Sequence, residues 1–184
     1  MEIRRATVSD AAGIARVHVL GWQTVYRGAL PQAYLDSLDP AQHAQMWSGL
    51  LPTQEWPRAG TLVAVSDSEI VGFAGFCPSR DADADPVVVG EMATLYLLPS
   101  VWRSGLGSRL MDASLAVLAE AGYRESTLWV LDANDRARRF YEATGWHHDG
   151  TVERKESDTL TLTELRYRRP LVHTPPTYPQ PASS

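Results

Sequence analysis

Gly105 and Gly107 lie in the stretch SVWRSGLGSRLM, residues 100–111, after a strand-like run that ends near Pro99 and at the head of a helix-like run. The first amides of a helix have no intrahelical partner. Glycines there clear side chains from around them, so an anion can approach the positive end of the helix dipole. Arg103 adds a fixed positive charge suited to phosphate. Neither familiar nucleotide fingerprint fits. No Lys follows either glycine as a Walker loop requires, and Leu110 stands where a dinucleotide loop needs its third glycine. From these residues alone the stretch is either a phosphate cradle or a tight strand-to-helix turn.

The surrounding elements decide what could hold such a cradle. EIRRAT reads as a strand, and Ser9-Asp10 supply an N-cap signal for a helix running from Ala11 to about Tyr26. Residues 32–51 give one or two further short helices. TLVAV and EIVGFAGFC read as a hairpin turning at Ser66-Asp67-Ser68, and PSRDADADP as a solvated acidic loop. VVVGEMATLYLL is the longest strand candidate, rich in β-branched residues. Residues 105–121 then place Leu106, Leu110, Met111, Leu115 and Leu118 on one helical face before the stop at Gly122. STLWVL is a buried-type strand, and NDRARRFYEATG a short helix capped by Asn134 or Asp132. WHHDGTVERK and TLTELRYRR form an antiparallel pair. The expected fold is α/β (α+β): a mixed, mostly antiparallel sheet of six to seven strands with about four helices, in one domain over residues 1–169. The segment 170–184, with five prolines, reads as an extended or disordered tail.

The chain has 184 residues and a net charge of -5, which excludes a dedicated nucleic-acid binder because phosphate neutralisation needs a basic face. No run approaches the roughly 18 apolar residues of a membrane helix, and MEIRRATVSD lacks the apolar core of a signal peptide. A cytoplasmic location is therefore expected. Cys77 is the only cysteine; it permits no intrachain disulfide or thiolate metal cluster and reads as buried filler. His147-His148 lacks further metal-ligand spacing, so no metal is expected.

LYLLPSVWRSGLGSRLM at 95–111 and LWVLDANDRARRFYEATGW at 128–146 together resemble the GCN5-related N-acetyltransferase (GNAT) superfamily. The first run matches its hydrophobic strand, proline and Arg/Gln-x-x-Gly-x-Gly/Ala loop. The second matches its Asn followed by Ala-x-x-Phe-Tyr-Glu and a Gly-aromatic pair, here Asn134, Ala137, Phe140, Tyr141, Glu142, Gly145 and Trp146. One position departs: Trp102 stands at the usual Arg/Gln, with the arginine one place later at Arg103.

The resemblance implies acetyl-coenzyme A as co-substrate. Its pyrophosphate would be held by the backbone of Arg103, Ser104, Gly105, Leu106, Gly107 and Ser108, and its pantetheine arm would lie along Leu95, Tyr96 and Leu97 and bond Asn134. Tyr141 would protonate the departing thiolate. Glu91, the one acid inside the long strand, is the expected base, sharing by alternation a face with Ala93, Leu95 and Leu97. The resemblance also implies that the first helices wall the acceptor cleft, where His18, Trp22 and Tyr26 recur at i, i+4 and i+8; Trp22 and Tyr26 are the substrate-contact candidates, against a plain core reading of the stripe. The implied activity is direct acetyl transfer to a primary amine of a small molecule or peptide. A protein acetyltransferase acting on N-termini or lysines, and a non-catalytic acyl-coenzyme A sensor, are the alternatives. Trp129 stands where N-terminus-modifying members carry an acid, which weighs against that substrate. A homodimer is compatible with the final strands.

Overall fold

The computed structural model describes residues 1–28, 30–157 and 160–172. The chain forms β1 (Glu2–Arg5), α1 (Ala11–Val25), α2 (Gln32–Asp36), α3 (Pro40–Leu50), β2 (Gly60–Ser66), β3 (Glu69–Pro78) and β4 (Val89–Leu97). Then follow α4 (Leu106–Glu120), β5 (Glu125–Leu131), α5 (Asp135–Ala143), β6 (His147–Ser157) and β7 (Leu160–Pro170). One sheet takes the order β1-β2-β3-β4-β5-β7-β6. Every neighbouring pair is antiparallel except β4 and β5, which are joined by the crossover helix α4. Among the described residues there are five α-helices where about four were expected, the 32–51 segment forming the two short ones α2 and α3. None is long and apolar enough to cross a membrane.

Helix α4 buries Leu106, Leu110, Met111, Leu115 and Leu118 on one face of the sheet, against Met92, Leu128 and Val130. On the other face α1 and α3 bury Ile14, Val17 and Trp47 against Val63 and Phe73. The entry to α1 is tied by Asp10, whose carboxylate accepts the Thr7 backbone N–H at 2.8 Å and pairs with Arg4 at 2.7 Å. These contacts hold its carboxyl down at about 2, with the Arg4 bond as the largest cause.

Strand β4 is irregular along both edges. The parallel pairing of β4 and β5 covers only Val89–Glu91 against Glu125–Thr127, and beyond it the strands part. On the opposite edge of β4 the register jumps from Gly75↔Thr94 to Phe76↔Met92, so Ala93 is an extra residue. The Gly75 N–H bonds the Thr94 hydroxyl at 2.9 Å, closing the bulge.

The segment 78–86 is not the solvated loop its composition suggests. Arg166, 4% exposed, reaches Asp83 at 2.6 Å, Asp149 at 2.7 Å and Asp81 at 3.2 Å, which pins the loop to β7 and β6. Asp149 is available because β6 swells between His148 and Val152 opposite Arg166. Strand β7 continues to Pro170, and Leu171 stays buried with its N–H on the Arg124 carbonyl at 2.9 Å. The rest of the proline-rich tail, 173–184, lies outside the described residues.

Candidate functional site

A cleft of about 580 Å³ opens between β4, the head of α4 and α5, with Gly21, Thr24 and Val25 of α1 along one side. Its mouth is built by the glycine loop. Arg103 has φ +60° and Gly105, the N-cap of α4, has φ +79° with no atom within 4 Å of an added Cβ. Gly105 is thus required by conformation rather than by space. An added Cβ on Gly107 would stand 3.4 Å from the Phe140 ring, inside the cleft wall. Arg109 is the first residue to bond into α4, to the Gly105 carbonyl at 3.1 Å, so the amides of 106–108 precede the helical ladder. Of these, Leu106 donates weakly to the Ser104 hydroxyl at 3.4 Å.

Two cations face this mouth without an acid. Arg103 and Arg136 both line the cleft, and neither forms an ion pair among the described residues. The Arg136 guanidinium lies 3.1 Å from the centroid of the Trp102 ring. Burial, and then the charge of Arg103, lower its pKa. Its neighbours on α5 are already spent, Arg138 on Asp132 and Arg139 on Asp135.

Beyond the mouth, β4 offers bare backbone. The Leu98 N–H bonds Val71 on β3 at 2.9 Å, so alternation turns the main-chain groups of Leu95 and Leu97 toward the side that β5 has left. The Leu97 carbonyl is taken by the Trp102 indole N–H at 3.0 Å, which gives the unusual tryptophan a local role. Asn134 caps α5 by accepting the Ala137 N–H at 3.1 Å and also lines the cleft. Tyr141 lies five residues beyond Arg136, about 7.5 Å along the helix axis. It packs edge-on to Phe140 and Trp146, with ring centroids 5.5 and 6.3 Å away. Burial, and then the neighbouring Tyr26, push its phenol up to about 12, so it keeps its proton at neutral pH.

The description "Acetyltransferase (GNAT) family" belongs to the family model that matches residues 22–146. The chain belongs to the GNAT family. It is an acetyltransferase. It is 30% identical over 167 residues to the uncharacterised N-acetyltransferase YuaI of Bacillus subtilis (strain 168), covering 90% of this chain and 88% of that protein. An uncharacterised N-acetyltransferase of Archaeoglobus fulgidus is 35% identical over 141 residues, 77% of this chain and 89% of that protein. In fold it is similar to a PaiA N-acetyltransferase of Thermoplasma acidophilum in complex with coenzyme A (TM-score 0.68, 19% identity, 92% of this chain and 98% of that one). It is likewise similar to YncA, a putative acetyltransferase of Salmonella typhimurium with acetyl-CoA (TM-score 0.70, 16% identity, 100% and 99%).

In this GNAT domain Leu95, Tyr96, Leu97, Arg103, Gly105, Gly107, Ser108, Asn134 and Tyr141 meet in one cleft. Ser104 and Leu106 do not line it. The Ser104 hydroxyl bonds the Val101 carbonyl at 2.7 Å, and the Leu106 side chain is 1% exposed in the α4 core, leaving only its amide for the loop. Trp22 and Tyr26 also lie outside the lining set, stacked on each other at 4.7 Å. His18 belongs to the core below, among Trp47, Phe73 and Tyr96. Cys77 is partly buried, and burial pushes its thiol up to about 11.

Glu91 departs most from expectation. It is absent from the Tyr141 cleft and lines a second one, paired with Arg80. The expected shared face fails as well. The extra residue at Ala93 flips the alternation, so Leu95 and Leu97 pack with Met92 on the α4 side while Tyr96 packs under α1. Nothing in a run of strand formers signals a bulge. Arg136 is one of three arginines on α5, and their spacing alone does not say which lacks an acid.

Proposed function

We propose that this enzyme transfers an acetyl group from acetyl-coenzyme A directly to a primary amine of a small molecule or peptide. The observation that carries the reading is the pair of acid-free cations, Arg103 and Arg136, beside the unbonded amides of α4, in a cleft that also holds a protonated tyrosine. Like charges gathered without a counter-ion are a standing preference for a polyanion, and coenzyme A carries its phosphates at one end. The Cβ-free loop fits the same group, because backbone amides at Gly107 and Ser108 can meet phosphate oxygens without a side chain intervening.

The backbone of Leu95 and the Leu97 N–H would hold an extended amide-bearing arm as a strand partner does. An N–H there would also polarise the thioester carbonyl. The acceptor arrives as an ammonium and loses one proton to a base. Its nitrogen lone pair then attacks the thioester carbon, a C–N bond forms and the C–S bond breaks. Tyr141 hands its phenolic proton to the departing sulfur, and the second proton shed by nitrogen balances that transfer. Glu91 remains the base this reading favours, as the buried carboxylate where β4 and β5 part. The test is release of free thiol from acetyl-coenzyme A against a panel of primary amines. Turnover with at least one amine is expected, and tight coenzyme binding without thiol release from any amine would overturn the reading.

A further inference from the structure

A second cleft, about 620 Å³, opens among the pinned 78–86 loop, β5, β6 and β7 and shares no lining residue with the first. Strand β4 serves both, lending Leu95–Leu97 to one and Glu91 to the other. Glu91 sits at the last paired position before β4 and β5 separate, and its side chain is 3% exposed. Its partner Arg80 hangs from the loop with 68% of its side chain exposed. Arg80 holds the carboxylate through Nη2, through Nε at 3.1 Å and through its own backbone N–H at 3.2 Å. A carboxylate fixed in the sheet is therefore covered by a cation that reaches in from solvent.

Beside Glu91 in parallel register stands Thr127, wholly buried, whose hydroxyl has no hydrogen-bond partner among the described residues. A buried hydroxyl in register with a buried carboxylate, and without a partner of its own, is unused hydrogen-bonding capacity beside Glu91. A planar guanidinium spends its N–H groups in one fork, whereas an ammonium points three donors in three directions. Trp129 adds an aromatic wall to the same cleft.

We infer that the second cleft takes the acceptor as a primary ammonium, which replaces the Arg80 guanidinium on Glu91, and that Arg80 is a stand-in cation keeping that carboxylate paired between turnovers. This rests on the acetyl-transfer reading, so its test avoids turnover. The probe is n-butylammonium chloride, with tetramethylammonium, which has no N–H, as control. Thermal midpoints are compared for the wild type, Arg80→Ala and the double variant Arg80→Ala/Glu91→Gln, with Arg80→Gln as a milder second route to an uncovered Glu91. At ten times Kd, n-butylammonium should raise the midpoint of Arg80→Ala and Arg80→Gln by roughly 3–5 °C. The wild type should shift less, because Arg80 competes. The double variant should not shift, and tetramethylammonium, which Trp129 can face but Glu91 cannot hydrogen-bond, should shift the single variants less than n-butylammonium does. Equal shifts in the single and double variants, or none in either single variant, overturn the assignment. An enzyme that releases thiol yet shows no such shift sinks the stand-in and spares the transfer reading; a shift without thiol release does the reverse.

Discussion

The two clefts either side of the β4–β5 split treat charge in opposite ways. In the first, Arg103 and Arg136 lie close together with no ion-pair partner among the described residues, and the Gly107 and Ser108 amides at the head of α4 precede the helical ladder. In the second, Arg166 binds Asp81, Asp83 and Asp149, the last shared with Arg168, Arg80 covers Glu91, and Lys155 pairs with Glu164 at 2.5 Å. A surface that leaves like charges unpaired gives up folding stability and keeps the interaction energy for a ligand. A surface whose charges are all paired holds the loops in place, and a ligand there must displace something. The first cleft is therefore expected to show its mutations in coenzyme binding and rate, and the Arg166 cluster of the second in stability.

The largest effect should come from Tyr141→Phe, which removes the proposed proton donor to the thiolate while keeping the ring. Turnover should drop by roughly a hundred- to ten-thousand-fold with the affinity for coenzyme A nearly unchanged, as steady-state rates and a binding titration would show. An unaltered rate would take Tyr141 out of the chemistry. Arg166→Ala is the counterpart across the split. It leaves Asp81 without its buried cation and Asp149 with Arg168 alone, so urea denaturation should report a loss of about 3 kcal/mol. A near-neutral result would mean that the loop's charges are solvated after all.

The aromatic packing beneath the first cleft supplies a pH test. Burial, and then the charge of His43, lower the His18 pKa from 6.5 to about 4. The unfolded chain takes up that proton near 6.5 and the folded chain only near 4. Stability is thus complete above about 6.5 and falls as pH drops toward 4, by on the order of 2 kcal/mol. His18→Gln should flatten that part of the profile in denaturation midpoints measured between about pH 7 and about pH 4.5. Smallest is Arg136→Ala, which should raise the Kd for coenzyme A about tenfold and cost no thermal stability, since it relieves a like-charge contact. A fall in melting temperature with unchanged affinity would reverse the contrast between the clefts.

Much of this fold is legible along the chain because its signals are local. The apolar face of α4, the Gly105 turn, the Asn134 cap and the Gly122 stop each depend on residues within a turn or two of one another. The residues that line the first cleft are legible for the same reason, since the loop and α5 carry most of them in two short runs. The acidic loop is misread by composition because its partner, Arg166, lies 83 positions from Asp83. An alternation of acids at 81, 83 and 85 against arginines at 166 and 168 is the available signal, and it has meaning only once β7 lies across the sheet.

The elements, the helix caps and the left-handed turn at the head of α4 follow from the sequence alone, because backbone propensity and orphan amides are set within a few residues. The direction of Glu91 depends instead on strand pairing. One unpaired residue at Ala93 shifts the pleat by a half-period, and the parting of β4 from β5 sets Glu91 at the junction, under Arg80 and away from Tyr141. Strand parity is a property of pairing between chain segments, so a single bulge reassigns faces that no local pattern can fix.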